Sequence, residues 1–347
     1  MLFCLTSVQA QTYNNYLAGG LTPGFLLAHR SDIKNLAAHN YGIELSYEEE
    51  ADHTSWGKFY SKPTVGFGLL YYNLGQKQTG HGLGGLVTLK FNLFQIGRTD
   101  VKFRMGAGLA LLSERFDVYQ NRRNQAIGSN LNGSMQFAML FHHSFNESNH
   151  YLNYGIGISH YSNAAFRVPN LGYNIPAAFL RYGIGLKGRP VENEGELREA
   201  SKWNIEAAMI YAKKQRNFAN PVDFYNLGIQ LRGLNNVNPI KAWRVGIDAM
   251  LDKTYKYAND PTYPLDSIGF IDKLELGVAG GFQWKVDKVD IFGELGAYVY
   301  KPAKLKNALY QRMGVRYNLG DRIKLSGALK FHRGVADYFE MGLGYRI

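Results

Sequence analysis

The stretch from Leu152 to Ser162 contains a histidine and a serine at positions that continue a row of apolar residues. Its even-numbered residues are apolar up to Ile158 and most of its odd-numbered ones are small, which predicts a strand with one face towards lipid. His160 and Ser162 continue that face, because residues two apart on a strand share a side. A serine hydroxyl that bonds to an imidazole can be activated as a nucleophile. A polar cap at the end of a strand is the alternative interpretation.

Other groups of residues in the chain lack the spacing of a metal or phosphate site. His142 and His143 are adjacent, so on a strand they point to opposite faces, and no carboxylate follows at ligand spacing. The glycine-rich segments 66–68 and 277–281 lack the strand, turn and helix that surround a phosphate-binding loop. The sequence therefore predicts neither a metal nor a cofactor.

Segments of about ten residues that alternate apolar with polar or small residues recur along the chain, as in membrane β-barrels. The clearest is 337–347, whose alternating hydrophobic residues are similar to the C-terminal signal read by the barrel-assembly machinery, a predicted partner. The pattern predicts sixteen strands, with 12–16 as the range, at residues 22–30, 41–49, 63–73, 83–96, 100–112, 130–144, 151–162, 174–187, 202–213, 223–234, 241–252, 272–285, 288–300, 307–318, 322–333 and 337–347.

The composition agrees with an all-β, antiparallel transmembrane barrel. No stretch approaches the ~18 uninterrupted apolar residues of a membrane helix, while aromatics reach 14% and glycines number 39. Residues 1–10 end in Val8-Gln9-Ala10 and are expected to be the remnant of a secretory signal. We expect residues 11–347 to form a single outer-membrane barrel domain.

The chain is basic, with a formal net charge of +11, yet it has no basic helix, zinc spacing or RNA-binding motif, so nucleic acid is not a predicted partner. An even number of strands puts both termini in the periplasm and assigns each connection to one side of the membrane. Basic residues fall in the outer connections, where they would face the phosphates of lipopolysaccharide. Ordinary solvated loops are the other interpretation. The predicted substrate-binding residues are Arg167, Lys213, Lys214 and Arg216.

The run from His160 to Asn174, HYSNAAFRVPNLGYN, resembles the signature of the lipid A 3-O-deacylases, also called acyloxyacyl hydrolases. That family has His-x-Ser-Asn-Ala-Gly followed by Pro-Asn-x-Gly. Segments 56–58 and 124–132 resemble its longer Bacteroidetes-type members. The resemblance, which covers about residues 20–190, implies an outer-membrane enzyme without a metal, with His160 as base, Ser162 as nucleophile and Asn163 at the oxyanion.

Two positions depart from the family pattern. The glycine after Ser-Asn-Ala is Ala165, and the acid of the triad aligns with Asn174. An asparagine can orient the histidine through its carbonyl oxygen but cannot add charge to stabilise an imidazolium. The resemblance implies hydrolysis of an ester-linked acyl chain of lipid A. A non-catalytic barrel, either a porin or a degenerate family member, is the competing hypothesis, because sixteen strands could enclose a channel.

Overall fold

The computed structural model describes residues 14–52, 54–145, 149–186, 202–216, 221–254, 269–302 and 307–347, and the predicted signal segment 1–10 lies outside these ranges. No helix in the described residues is long and apolar enough to cross a membrane. The strands are β1 Asn15–Phe25, β2 His39–Glu50, β3 Thr64–Asn73, β4 His81–Ile96, β5 Thr99–Leu112, β6 Leu131–Ser144, β7 His150–Ser162, β8 Tyr173–Leu186, β9 Trp203–Arg216, β10 Val222–Asn238, β11 Lys241–Leu251, β12 Leu274–Val286, β13 Val289–Tyr300, β14 Leu309–Leu319, β15 Ile323–His332 and β16 Val335–Arg346. Helix α1 spans Ser55–Phe59, and Ser31–Leu36 and Ile271–Lys273 form 3₁₀ turns.

The sixteen strands close as two barrels of eight, and the prediction of a single barrel was wrong on this point. Strand β1 pairs antiparallel with β8, which closes the first barrel. Strand β16 pairs antiparallel with β9, which closes the second. Alternation along the sequence identifies strands and their faces, but the partner that closes a sheet is a non-local choice that the pattern does not encode.

Each strand alternates between lipid-compatible and buried side chains, as the sequence predicted. On the outside, Leu45 and Ile156 are 64% and 72% exposed, whereas on the inside Glu44 and Arg181 are fully buried. The first strand begins earlier than predicted. Gly20 in this strand packs tightly on β8, because a Cβ there would lie 2.7 Å from the carbonyl oxygen of Leu180. With Ala18, Gly19 and Gly20 in succession, the start of the strand has little apolar alternation to detect in the sequence.

The lumen of the first barrel is filled by ion pairs. Glu44 contacts Arg104 at 2.5 Å and Arg181 at 3.0 Å, and Glu48 pairs with Arg181 at 2.9 Å and with Lys90. All of these side chains are buried. An eight-stranded barrel is only wide enough for its side chains to fill the interior, and here they do so with opposite charges.

The second barrel has a comparable interior. Glu294 forms salt bridges with Arg232 at 2.9 Å, with Arg244 at 2.9 Å and with Arg312 at 3.0 Å. The described residues divide into two compact units: β1–β8 without segments 115–132 and 162–172 form one, and those two segments belong with β9–β16.

Candidate active site

His160 on β7 and Asn174 on β8 are direct cross-strand partners. Their sequence neighbours Tyr161 and Tyr173 are buried in the lumen, so His160 and Asn174 lie on the outer side of the wall. Nδ1 of His160 donates a hydrogen bond to Oδ1 of Asn174 at 2.7 Å. An amide oxygen can only accept, so Nδ1 carries the proton and Nε2 keeps the lone pair. This is the tautomer in which an imidazole can act as a general base.

Ser162 is the last residue of β7 and lies two residues beyond His160, so both side chains leave the strand on one side. Its Oγ accepts hydrogen bonds from the backbone amide of Ala164 at 3.2 Å and from Nδ2 of Asn170 at 3.4 Å. The bond to His160 that a Ser–His dyad uses is not among its hydrogen bonds in the described part of the chain. Catalytic hydrogen bonds are often long in unliganded enzymes and tighten when substrate binds.

Asn163 holds the loop that follows Ser162. Its backbone amide donates to Oδ1 of Asn170 at 2.9 Å and its Nδ2 donates to Oγ of Ser129 at 2.8 Å. Its Oδ1 accepts from the backbone amide of Arg167 at 3.3 Å. Asn163 is 9% exposed, and its hydrogen bonds connect the loop internally and to Ser129, as expected of a residue that positions the loop.

Two consecutive residues after Asn163 have a left-handed backbone. Ala164 has φ 52° and Ala165 has φ 60°. A side chain in this region costs roughly 1–2 kcal/mol, and glycine avoids most of that cost. The family pattern has a glycine where this chain has Ala165, and the left-handed backbone explains that preference. Ala165 adopts the same turn at some conformational cost.

The segment around Gly128 supports this loop from the side. Gly172 donates its backbone amide to the carbonyl oxygen of Ala126 at 3.0 Å, and Ile127 forms a β-bridge with Asn170. A Cβ on Gly128 would lie 2.8 Å from the backbone of Val168, so only glycine fits there. Segment 124–132, which the sequence analysis noted through its resemblance, thus packs on the loop that begins at Ser162.

His29 was missed by the sequence analysis and lies beside Asn174. It belongs to the connection between β1 and β2, where the backbone amide of Leu27 donates to the carbonyl oxygen of Asn174 at 2.8 Å. Nδ1 of His29 lies 3.1 Å from Nδ2 of Asn174. One histidine in a loop has no periodicity or spacing that would mark it.

An apolar groove of about 560 Å³ lies on the outer wall of the first barrel. Pro176 follows Asn174 by two residues on β8 and Ile156 precedes His160 on β7, so the groove starts next to the site. Its lining includes Pro23, Phe25, Phe103, Phe137, Ile156 and Pro176. No group of His, Cys, Asp and Glu in the described ranges is arranged to hold a metal ion.

Two family models match the chain over its two barrels. Residues 41–183 match the family described as lipid A 3-O-deacylase (PagL), and residues 202–347 match the acyloxyacyl hydrolase C-terminal domain. The chain belongs to the lipid A 3-O-deacylase family. As a member of this family it is a deacylase-like enzyme of the bacterial outer membrane.

Solved structures similar to this family member are distant in sequence. The crystal structure of the outer membrane enzyme PagL is 19% identical, covers 49% of this chain and 99% of its own, and has a TM-score of 0.34. CdiB from Acinetobacter baumannii is 9% identical, with 98% and 60% covered and a TM-score of 0.20. A Rhodopseudomonas blastica porin mutant is 8% identical, with 97% and 99% covered and a TM-score of 0.17. A search of the curated proteins finds no match.

The basic residues predicted to bind substrate in this deacylase-family chain have different surroundings. Arg167 is exposed. Lys213 pairs with Asp223 at 2.9 Å, and Arg216, which is 46% exposed, lies 3.5 Å from Asp337.

Lys214 was predicted to lie in an outer connection and to face the phosphates of lipopolysaccharide, but it lies within β9 and is buried. It is buried in the second barrel, where it pairs with Asp252 and, at 3.0 Å, with Asp337. The prediction failed because β9 continues to Arg216 and the alternation turns Lys214 inward. Burial raises the pKa of Asp252, but the ammonium of Lys214 more than offsets this and holds that pKa below its ordinary value.

Proposed function

We propose that this enzyme hydrolyses an ester-linked acyl chain of lipid A in the outer leaflet, with Ser162 as nucleophile and His160 as general base. The observation that carries the proposal is the hydrogen bond from His160 to Asn174, which leaves Nε2 of the imidazole free to accept a proton. The site is on the lipid-facing wall, at the start of an apolar groove, where an acyl chain of a membrane lipid is accessible without leaving the bilayer.

The reaction follows from these groups. As Oγ of Ser162 attacks the ester carbonyl carbon, Nε2 of His160 takes the hydroxyl proton. The carbon–oxygen bond to the sugar then breaks, and the sugar oxygen receives that proton from His160. A water molecule attacks the acyl-serine by the same base catalysis, which releases the fatty acid and restores the serine hydroxyl.

The negative oxygen of the tetrahedral intermediate needs preorganised donors. The donor we assign to it is the backbone amide of Ala165, in the left-handed turn that begins two residues after the nucleophile. The amide of Ala164 donates to Oγ of Ser162 in the unliganded site and would have to leave it to join Ala165. Asn163 contributes by holding this turn rather than by donating from its side chain. On this assignment the oxyanion depends on the backbone, so it tolerates the change from glycine to alanine at position 165.

The apolar lining of the groove, in the first unit, is the part that we assign to the acyl chain. Arg167, Lys213 and Arg216, which all belong to the second unit, are assigned separately to the phosphates of lipid A. Lys214 is excluded from this role by its burial.

The decisive experiment is Ser162→Ala, with mass spectrometry of lipid A from cells that produce each variant. We expect complete loss of deacylation with a folded, heat-modifiable barrel. Ser144→Ala is the matched control, since Ser144 ends β6 on the side of the membrane opposite to Ser162, and it should leave activity unchanged. Deacylation by Ser162→Ala at the native rate would refute the mechanism.

A non-catalytic porin is the second candidate function. It drew its support from a wide sixteen-stranded barrel, but each barrel has eight strands and an interior occupied by buried ion pairs. A liposome-swelling assay tests it directly, since a porin would make vesicles permeable to small sugars.

A further inference from the structure

The side chain of Asn174 has two different ends, whereas the two oxygens of a carboxylate are equivalent. The amide therefore has to be held in one of two orientations. A carboxylate accepts at both oxygens, whereas an amide accepts at one end and donates at the other. The two orientations of the Asn174 side chain have nearly the same shape. Only one of them presents the oxygen to His160.

Asn174 lies between two histidines, which contact opposite ends of its amide. Oδ1 is 2.7 Å from Nδ1 of His160, and Nδ2 is 3.1 Å from Nδ1 of His29. The loop that contains His29 is tied to the same residue, because the amide of Leu27 donates to the carbonyl oxygen of Asn174.

We propose that His29 is a positioning residue that sets the orientation of the Asn174 amide and, through it, the tautomer of His160. A neutral His29 with its lone pair on Nδ1 accepts from Nδ2 of Asn174, so Oδ1 has to point to His160. His160 then carries its proton on Nδ1 and keeps Nε2 as the base. This inference rests on the proposed Ser–His function.

The reverse orientation would disable the base. If Nδ2 faced His160, Nδ1 of that ring would have to accept and its proton would move to Nε2, which could no longer take the proton of Ser162. His29 also has a competing bond, since its Nδ1 lies 3.4 Å from the carbonyl oxygen of Leu27. That contact requires a proton on Nδ1, and a histidine that makes it cannot accept from Asn174.

Variants at position 29 separate an acceptor from mere bulk. We expect His29→Ala to lower kcat about tenfold with little change in KM, because His29 acts on Asn174 and not on the substrate. His29→Gln offers a side-chain carbonyl oxygen as acceptor and should recover part of kcat. His29→Lys has donors only and should be no better than alanine.

The second arm uses Asn174→Asp as background, with Asn174→Glu alongside it. A carboxylate presents an acceptor to His160 in either orientation, so the effect of His29→Ala should fall below about twofold there. Equal losses from His29→Ala in the native and carboxylate backgrounds would reduce His29 to a structural role. No loss in the native background would overturn the proposal.

A readout independent of turnover is the ¹⁵N chemical shift of the histidine ring nitrogens in labelled protein in detergent. His160 should be in the Nδ1–H form in the native protein and in a mixture of tautomers in His29→Ala. An unchanged His160 tautomer in His29→Ala overturns the proposal even if both carboxylate variants are inactive. Failure of the Ser–His function would show instead as activity in Ser162→Ala, so the two failures are distinguishable.

Discussion

If His160 is the general base that we propose, Asn174 limits what it can do during catalysis. A carboxylate both orients the imidazole and stabilises the imidazolium, whereas the asparagine supplies orientation alone. We therefore expect Asn174→Glu to retain or raise turnover. Asn174→Ala should lower it, by up to roughly 10⁴-fold if the loss resembles that of the orienting group in other triads. The measurement is the initial rate on purified lipid A in detergent, with folding verified by heat modifiability.

The control for this series is a substitution elsewhere on the outer face of the same strand. Leu180 lies on the same outer face of β8 as Asn174, six residues further along and outside the groove lining, so Leu180→Ala tests the effect of a change in the strand alone. Equal rates for the native protein, Asn174→Glu and Asn174→Ala would remove residue 174 from the site.

The left-handed backbone at Ala165 predicts an ordered series of substitutions. Ala165→Gly should stabilise the turn by roughly 1 kcal/mol and leave kcat at or above the native value, since glycine has no Cβ penalty at φ 60°. Ala165→Val should lower kcat strongly, because a β-branched side chain resists this conformation. For both variants, the initial rate gives kcat, and the activity that remains after incubation at rising temperature gives the stability. Native behaviour of the valine variant would mean that the turn does not bear on the oxyanion.

The burial of Lys214 separates it from its basic neighbours. Lys214→Ala leaves the buried carboxylate of Asp252 without its cation and removes the nearer cation of Asp337, so we expect a loss of about 3–5 kcal/mol in the stability of the second barrel. Unfolding in urea from lipid vesicles would show it. The exposed Lys241 is the control, and Lys241→Ala should have no measurable effect.

Exposed cations should instead affect substrate binding. Arg167→Ala combined with Arg216→Ala should raise KM on lipopolysaccharide and reduce its dependence on salt, because such attraction is screened over ~8 Å at physiological ionic strength. Rates across a range of NaCl concentrations measure this. A double variant with the native salt dependence would assign both residues to solvation only.

At the level of elements, the sequence predicts the positions of the strands well and several of their ends poorly. Alternation located β7 and β8 within one or two residues, because both have apolar outer faces. It missed the true start of β1, where small residues on both faces, Ala18, Gly19 and Gly20, weaken the alternation, and it ended β9 before Lys214. A lysine that enters a lumen reads as a loop residue in sequence, since its partners Asp252 and Asp337 are distant in the chain.

If the outer groove binds the acyl chain, a substitution on β8 that fills it should change KM according to the length of that chain. Ala178 lines the groove on the outer face, and Ala178→Trp should fill part of it and raise KM for long acyl chains more than for short ones. Ala107→Trp, an exposed position on β5 outside the groove lining, is the control for adding an indole to the lipid-facing wall. An equal effect on esters of all chain lengths would argue against the groove as the acyl site.

For the whole molecule, closure decides whether water can pass. The sequence shows sixteen strands and mixed charges on their inner faces, but not that the charges form two separate networks. We expect no steady conductance from the protein in planar bilayers, with a porin as positive control, because ion pairs occupy both interiors. Stable channels of porin size would contradict this.

Two closed sheets also mean two seams to be made during biogenesis. Until each seam forms, β1, β8, β9 and β16 expose unpaired backbone groups, which the interior of a bilayer cannot satisfy. The chain must join β1 to β8 in preference to β1 to β16, the closure of a larger ring. Close packing of Gly20 against Leu180 and Arg181 fits β1 to its correct partner. A bulky residue in place of Gly20 should therefore impair closure of the first barrel during assembly, whatever its effect on catalysis.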